Sequence, residues 1–486
     1  MKNALQMREP SRRSTDAKAE FEALEGRTLL SVGGPGAVEF VYVETNNSQP
    51  VQNAVIAFRR NPADGSLQQI GKFNTGGTGF ANTTQRLGPD DSDQEVIASS
   101  DGRLLFAVNQ GSNSIAVFGI RHNGALRRVG TFDSGGVQPV SLGLAGDHLY
   151  VTNRGDALQG QTATVAPNYT AFNVDEHGTL SPIAGSTITL PIGLSPSQTL
   201  VPRDGRFVFG DNFAIPGTSP SLAQTIDPFV INADGTLQQA PGGAVGAAVS
   251  PNVLLGLAAH PTQQIIYGGL TGAGAIAVFT YDKQGSVTFS NSAADQGAGP
   301  CWIVVSADGR FLYASNTGTD SIGVFSLADP LHPVQVQEFN LAGPFAPPGV
   351  TGRQTASFEF ALDPSGKSLY VLTQDTASTR DFQEGNAVHA LSVAGNGIVS
   401  EANTPLTFGP GDVPADARIQ GVAIVARPSD PPEAGGRGRH EESFASALAQ
   451  SPRSPFGTTV IGDTTVNSGL SLSDIVDVLN GKRHEM

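Results

Sequence analysis

One short pattern recurs seven times along the chain and restricts its fold more than any other feature. In each copy a turn leads into an apolar strand, and most copies end at asparagine. Successive copies begin 45 to 63 residues apart. This uneven period is typical of propeller blades with loop insertions, whereas helical repeats have a tighter period. The copies are VEFVYVETN (Val38–Asn46), DGRLLFAVN (Asp101–Asn109), DHLYVTN (Asp147–Asn153), DGRFVFGDN (Asp204–Asn212), QQIIYGGL (Gln263–Leu270), DGRFLYASN (Asp308–Asn316) and SGKSLYVLTQ (Ser365–Gln374).

Each repeat carries the sequence signals of four strands. An apolar strand precedes the turn, as in CWIVVSA (Cys301–Ala307), and a third strand comes later, as in DSIGVFSL (Asp320–Leu327). A second turn, often containing Asp-Gly or Asn-Gly, leads to a fourth strand such as RRVGTF (Arg127–Phe132). Because these pairs favour the positive φ angles of tight hairpins, the strands are predicted to be antiparallel. Four antiparallel strands form one blade of a β-propeller.

The two ends of the repeat region complement each other. The first copy lacks a first strand, and RIQGVAIVA (Arg418–Ala426) has the pattern of a first strand with no second strand after it. We therefore predict an all-β, seven-bladed β-propeller that is closed by the C-terminal strand pairing into the N-terminal blade. Closure removes the open sheet edges that promote aggregation.

The predicted propeller occupies residues 37–426 and lies between two tails. Residues 1–36 are predicted to be an export-like or disordered segment. Residues 427–486 are predicted to be a linker and tail. The tail ends in SLSDIVDVLNGK (Ser471–Lys482), whose apolar residues have the spacing of a short amphipathic helix.

Charge and composition exclude several classes of partner. The net charge of −15 repels phosphate backbones, so we expect no nucleic-acid partner. No apolar run of about 18 residues is present, so we expect no transmembrane helix. The single cysteine, Cys301, excludes an intrachain disulfide and a cysteine-rich zinc site. The eight histidines lack metal-site spacing, and no phosphate-binding loop is found, so we expect no metal and no cofactor. We also expect the protein to be a monomer.

The candidate ligand-binding residues follow from the predicted topology. Residues that enter first strands and leave second strands meet at one mouth of the central channel, where we expect a ligand to bind. The asparagine that recurs at the ends of second strands is predicted to bond to the local backbone instead. The residues predicted to bind a ligand are Arg86, Gln138, Gln198, Asn252, Trp302 and Asn316.

Two motifs have alternative interpretations. Asp90, Asp91 and Asp93 in GPDDSDQ are either calcium ligands or part of a solvated loop, and we predict the loop. Cys301 is either a nucleophile or a small buried apolar residue, and we predict the buried residue because Trp302 adjoins it at a strand start.

The repeats resemble those of the seven-bladed lactonase family, of the 6-phosphogluconolactonase type. The resemblance extends over about 390 residues and includes the G-x-L turns and the segment from Gly299-Pro300 to DGRFLY (Asp308–Tyr313). LYVTN (Leu149–Asn153) also resembles the YVTN-type repeats of bacterial surface propellers. The family resemblance implies a propeller that hydrolyses a lactone of carbohydrate metabolism.

This chain departs from the pattern of the family at the expected polar positions. Lactonase-like relatives carry Arg-His after the Gly-Pro pair, where this chain has Cys301 and Trp302. Asn316 replaces an acid after the next strand, and Gln198 replaces a histidine before another first strand. An acid–base pair for proton transfer must therefore come from other residues.

Two functions follow as hypotheses. In the first, the chain is a sugar-lactone hydrolase in which Asp211 is the general base and Arg154 or Arg418 orients the anionic end of the substrate. In the second, it is a non-catalytic extracellular or surface propeller that binds an unknown ligand or a protein partner.

The N-terminal segment bears on localisation. FEALEGRTLLS (Phe21–Ser31) is similar to an LExRxLLS-type segment found near the start of bacterial surface proteins. This resemblance implies an extracellular or cell-surface location, and a cytoplasmic location is the alternative.

Overall fold

The computed structural model describes most of the predicted propeller. The described residues are 37–80, 93–156, 162–213, 224–250, 253–341, 355–375, 385–414, 417–428, 459–461 and 464–466. Several predicted features lie outside them: the N-terminal segment with FEALEGRTLLS, the terminal helix, Asp90, Asp91, Arg86 and Asn252.

The described part of the chain is built almost entirely from strands. In chain order they are β1 (Ala37–Glu44), β2 (Ala54–Arg60), β3 (Leu67–Asn74), β4 (Val96–Ala98), β5 (Leu104–Asn109), β6 (Ser114–Ile120), β7 (Leu126–Asp133), β8 (Pro139–Ala145), β9 (His148–Asn153), β10 (Asn168–Val174), β11 (Leu180–Pro182), β12 (Ile188–Thr189), β13 (Phe207–Asp211), β14 (Ile226–Ile231), β15 (Leu237–Gln239), β16 (Leu254–Ala259), β17 (Ile265–Leu270), β18 (Ala275–Tyr281), β19 (Val287–Ala294), β20 (Pro300–Val305), β21 (Phe311–Asn316), β22 (Ser321–Ser326), β23 (Val334–Asn340), β24 (Thr355–Leu362), β25 (Ser368–Asp375), β26 (Ala387–Val393), β27 (Val399–Glu401), β28 (Leu406–Thr407), β29 (Gln420–Pro428), β30 (Thr459–Ile461) and β31 (Thr464–Val466). One 3-10 turn, Gln110–Ser112, follows β5.

Seven antiparallel sheets form the blades of the propeller. Blade 1 has the order β29-β1-β2-β3, and blades 2, 5 and 6 are β4–β7, β16–β19 and β20–β23. Blades 3 and 7 each add a short fifth strand, β12 or β28. Blade 4 is β13-β14-β15, and its first-strand position is held by single bridges from Pro196 to Asn212 and from Leu200 to Phe209. The seven-bladed propeller predicted from the repeats is therefore confirmed.

The ring closes where the two ends of the propeller pair. β1 and β29 are antiparallel and match eight residue pairs, from Ala37 with Pro428 to Glu44 with Gln420. The predicted closure by the C-terminal strand is thus confirmed. At the outer side of the same seam, Arg60 in β2 forms an ion pair of 3.0 Å with Glu39 in β1 and donates to Ser368 of blade 7 at 2.7 Å.

Apolar side chains between neighbouring blades make up the core. Strand residues that face adjacent sheets pack together, as Tyr42 of blade 1 does with Leu105 and Phe118 of blade 2. Another cluster joins blades 5, 6 and 7 through Leu255, Trp302 and other residues. Each sheet therefore buries both of its faces, which explains why its second and third strands are almost continuously apolar.

A recurring tyrosine links neighbouring blades. In five blades, a second-strand tyrosine donates its hydroxyl hydrogen to a carbonyl in the connection between strands three and four of the next blade. Tyr370 of blade 7 reaches Gly65 of blade 1 at 3.0 Å, so one of these links crosses the seam. The other four are Tyr42 to Gly124, Tyr150 to Gly235, Tyr267 to Pro330 and Tyr313 to Gly397, at 2.9 to 3.2 Å.

The C-terminal part of the chain forms a separate unit, residues Asp430–Met486. Its described residues are the hairpin of β30 and β31, in a segment that we predicted to be a linker and tail. Within the described portion of the chain, no helix has the length and apolar character needed to cross a bilayer.

The tyrosine at the seam provides a test of closure. Tyr370→Phe removes a buried hydroxyl and leaves the Gly65 carbonyl without this donor, so we expect the free energy of unfolding to fall by about 1 kcal/mol. Tyr281→Phe is the matched control, because Tyr281 packs against Phe207 and Phe209 within the core between blades 4 and 5. Equal losses in the two variants in urea unfolding would contradict a specific role for the seam link.

Candidate functional site

The first strands bulge near their starts, at a similar height in the ring. The bulged residues, which have no partner in the pairing with the second strand, are Gly421 in β29, Gly256 in β16, Cys301 in β20, and Phe358 and Glu359 in β24. β8 has the same irregularity between Pro139 and Ser141. Bulges redirect side chains and backbone groups, and they are common beside functional sites. Here the bulge in β24 contains Glu359, whose side chain faces the channel.

A cavity of about 760 Å³ follows the first strands along the axis of the ring. It is lined by first-strand residues of every blade except blade 3. One end lies among the turns that join first and second strands, and the other meets the level of the bulges. A volume of this size accommodates a small organic ligand.

The segment of residues 93–95 closes the inner end of this cavity. The Asp93 amide donates to the Ser197 carbonyl of blade 4 at 3.1 Å, and the Gln94 carbonyl accepts from Leu142 of blade 3 at 3.1 Å. The backbone N–H of Gln94 donates to the Glu359 carboxylate of blade 7 at 3.2 Å. The Glu95 side chain also accepts a hydrogen bond from Gln420 of blade 1. The segment therefore bonds to four other blades across the channel: blades 1, 3, 4 and 7.

Three carboxyl groups cluster at this closed end: Asp93, Glu95 and Glu359. Their side chains are buried, and Asp93 and Glu359 line the cavity. Burial, followed by the charges of Glu95 and Asp93, raises the pKa of Glu359 well above its usual value, and Glu359 also hydrogen-bonds to Glu95. Burial and the charges of Glu95 and Asp211 raise the pKa of Asp93 in the same direction. Burial and the repulsion between like charges this close therefore both favour the protonated forms of these carboxyl groups.

Amide side chains hold the carboxyl cluster in place. Gln420 donates to Glu95 at 2.5 Å, and Gln198 donates to Gln94 at 2.9 Å. Gln94 has a φ of 68°, a strained value for a residue with a side chain. Such strain is retained when surrounding bonds fix the backbone, as the contacts of residues 93–95 do here.

Asp211, the predicted general base, lies behind the cavity wall. Its side chain is fully buried, and it accepts hydrogen bonds from Ser197 Oγ at 2.6 Å and from the Gly256 amide at 2.8 Å. Burial is the main cause that raises its pKa, and these hydrogen bonds act in the opposite direction. Asp211 does not line the cavity, but its charge acts on Asp93.

The predicted arginines are also buried. Arg154 has no exposed surface and donates to Gln138 at 3.3 Å, so these two predicted site residues lie together at the end of the ring where first strands begin. Arg418 is 5 % exposed and immediately precedes Ile419, whose carbonyl accepts from Gln374 at 2.7 Å. Neither arginine lines the cavity.

Of the predicted site residues that the structure describes, Gln198 alone lines the cavity. Its amide nitrogen also donates to the Leu257 carbonyl at 2.9 Å, and its amide oxygen accepts from the Leu257 amide. The side chain therefore binds the backbone of blade 5 as well as Gln94 of blade 2.

Trp302 and Cys301 belong to the packed core. Trp302 is 2 % exposed, and its ring centroid lies 5.1 Å from that of Phe358. Cys301 is buried and donates its thiol hydrogen to the Gly299 carbonyl at 3.0 Å. The prediction that Cys301 is a small buried residue is confirmed.

The recurrent asparagines bond to groups of outer strands and of the connections between blades. Asn316 is fully buried and donates to Asp295 at 3.2 Å and to Glu338 at 3.3 Å. Asn153 donates to the backbone carbonyl of Ser134 at 3.2 Å and to the side-chain oxygen of Asn168 at 2.9 Å. For the recurrent asparagines we predicted bonds to the local backbone, and for Asn316 ligand binding; Asn316 does not line the cavity.

Sequence reasoning missed the carboxyl cluster. The prediction of a solvated loop is wrong for Asp93, which is 8 % exposed. The usable signal was a charge inside an apolar strand: Glu359 interrupts SFEFAL, and Glu95 directly precedes VIA. An acid at such a position is rarely buried without a partner or a function.

The comparisons with known proteins agree with this architecture. The family model described as "Lactonase, 7-bladed beta-propeller" matches residues 41–160 and 212–385, more than half of the chain. The chain belongs to this lactonase family. Its match with the model stops before Arg418 and the closing strand β29.

Solved structures of the same fold are distant in sequence. A protein from Bacteroides uniformis, described as a candidate 6-phosphogluconolactonase, is 19% identical with a TM-score of 0.57; the match covers 80% of this chain and 100% of that one. The periplasmic gluconolactonase of Pseudomonas aeruginosa is 16% identical with a TM-score of 0.55, over 81% of this chain and 100% of that one. At these identities the likeness shows the fold alone. No curated protein matches the chain.

Asp211 is expected to contribute to stability through its two acceptor bonds. Asp211→Ala removes the partner of the buried Gly256 amide, so we expect the free energy of unfolding to fall by about 1 to 3 kcal/mol. Asp147→Ala, with an 80% exposed side chain, is the control and should change it by less than about 0.5 kcal/mol. Denaturant unfolding distinguishes these values, and an unchanged midpoint for Asp211→Ala would contradict the assignment.

The carboxyl cluster predicts an unusual dependence of stability on pH. A carboxyl group with a raised folded-state pKa binds its proton more tightly in the folded protein, so stability is lost as pH rises through that pKa. Glu359→Gln keeps the shape of the side chain and removes this ionisation. We therefore expect the variant to lose less stability than the wild type between about pH 5 and pH 8 in thermal unfolding. Parallel curves for the two proteins would contradict a retained proton at Glu359.

Proposed function

We propose that this propeller hydrolyses a lactone at the closed end of its central cavity. The observation that supports this proposal most directly is the pair of buried carboxyl groups, Asp93 and Glu359, that line that end and share a cluster with Glu95. Coupled carboxyl groups with different protonation states supply a base and an acid from one site.

The chemistry requires two proton transfers. The ionised member of the pair takes a proton from water as the water oxygen bonds to the lactone carbonyl carbon. The resulting tetrahedral intermediate breaks its ring C–O bond, and the departing alkoxide oxygen takes a proton from the protonated member. The product is a hydroxy acid. One carboxyl group has gained a proton and the other has lost one, so transfer of that proton between the two groups restores the starting state of the cluster.

The residues first predicted to be catalytic have supporting roles in this proposal. Asp211 holds the Gly256 bulge and, through its charge, raises the pKa of Asp93. It acts as a positioning residue because it lies outside the cavity lining. Arg154 and Arg418 do not line the cavity, so in this proposal they support the fold and do not contact the substrate.

The names of the solved relatives suggest the first substrates. One is described as a candidate 6-phosphogluconolactonase and another as a gluconolactonase, so δ-gluconolactones with and without phosphate are the starting points. A neutral δ-lactone such as δ-valerolactone tests the reaction without a sugar.

A hydrolysis assay tests the proposal. Acid release from each lactone is followed in a pH-stat with wild-type protein, Glu359→Gln and Glu401→Gln. Removing the general acid or base is expected to lower kcat/KM by about a hundredfold or more. Glu401 is the matched control, because it is a buried glutamate of the same blade that binds His389 at 2.8 Å.

The outcomes of the assay are distinct. Hydrolysis that Glu359→Gln abolishes and Glu401→Gln preserves supports the proposal. Rates no higher than the spontaneous rate for all three lactones overturn it, as does an equal effect of the two variants.

A non-catalytic binding propeller is the second candidate. The supporting observation is that Cys301 and Trp302 stand where relatives carry Arg-His, and both pack into the core. In this second candidate function, the propeller is displayed on the cell surface. Finding the protein entirely in the cytosolic fraction of its cells would remove the support for display.

A further inference from the structure

The wall of the cavity is apolar between its two ends. Each of the six lining blades contributes aliphatic or aromatic residues from its first strand. One residue from each blade illustrates the wall: Val96, Leu200, Leu257, Ile303, Phe360 and Val422. Polyhydroxylated sugars need hydrogen-bonding partners along their length, and this wall provides few of them.

Charge in the cavity is confined to its ends. The carboxyl groups of Asp93 and Glu359 occupy the closed end, and Arg203 lies at the other end. Ser100, Ala307 and Pro364 take the same position as Arg203 in the turns of their blades. An anionic lactone is disfavoured because the net charge of −15 opposes its approach, and because Arg203 is exposed at the outer end, where solvent screens its charge.

We infer that the cavity takes an uncharged lactone with an aliphatic substituent. The ring meets the carboxyl groups at the closed end, and the substituent lies along the apolar wall toward the turns. This inference rests on the proposed hydrolase function and specifies its substrate class.

The dimensions of the cavity fit such a molecule. The polypeptide from Glu359 to Pro364 spans roughly 16 Å at the rise of a strand. A cavity wall of this length accommodates a lactone ring with an alkyl substituent of several carbons. Each methylene moved from water to an apolar wall favours binding about three- to fourfold. Affinity should therefore rise with chain length until the substituent reaches the turns.

A series of δ-lactones tests this inference. The wild-type protein is assayed with δ-valerolactone, δ-octalactone, δ-decalactone, δ-gluconolactone and 6-phosphogluconolactone. We expect kcat/KM to rise about three- to fourfold per added methylene and to exceed the value for either gluconolactone. Binding of the same δ-alkyl lactones to Glu359→Gln is measured by calorimetry as a readout independent of turnover.

A variant at the open end locates the substituent. Ala307→Trp adds bulk beside the cavity on an exposed turn and should reduce kcat/KM for δ-decalactone tenfold or more, with little effect on δ-valerolactone. Ala328→Trp is the matched control, since Ala328 is exposed in the same blade and does not line the cavity.

The outcomes separate the inference from the function on which it rests. Hydrolysis of gluconolactones with no gain from alkyl chains overturns the inference and leaves the hydrolase function standing. Chain-length-dependent binding without turnover overturns the hydrolase function and supports the apolar ligand class. If the alkyl lactones are neither bound nor hydrolysed, the inference is overturned. An equal effect of the two tryptophan variants overturns the placement of the alkyl substituent.

Discussion

Pairing between β1 and β29 is the interaction on which the rest of the structure depends. Each blade buries both of its faces, so it is stable only when a neighbour covers each side. In an open array, blades 1 and 7 would each expose an apolar face, and β1 and β29 would each have an unpaired edge. The pairs from Ala37–Pro428 to Glu44–Gln420 remove that exposure by joining residues from the two ends of the propeller.

The carboxyl cluster also depends on this closure. Asp93 and Glu95 come from the start of blade 2, Glu359 from blade 7, and Gln420 from the closing strand. These residues meet only when the ring is complete. Burying several acids together costs free energy, and the packed blades around the channel offset that cost. A site that opposes folding in this way is typical of groups retained for chemistry.

The sequence alone was sufficient to predict the fold because its signals are local and repeated. The asparagine-terminated strands and the unmatched strand before Ala426 determined both the number of blades and the closure. The interior of the channel was not predictable in the same way. Asp93 follows a polar stretch that reads as a solvated loop, and its burial results from bonds to Ser197 and other distant residues. Asp211 was recognisable as an unusual acid, but its Gly256 partner was not.

The order in which the chain is synthesised gives the closure a further consequence. During translation, blade 1 emerges first as a three-stranded sheet in which β1 has a free edge. Its partner β29 emerges only after six further blades, so that edge stays available for incorrect pairing during nearly the whole of synthesis. The buried ion pair of Glu39 with Arg60 places charge on this edge and its neighbour, which disfavours pairing with another chain. The same residues that complete the seam in the folded ring therefore also protect the unfinished protein.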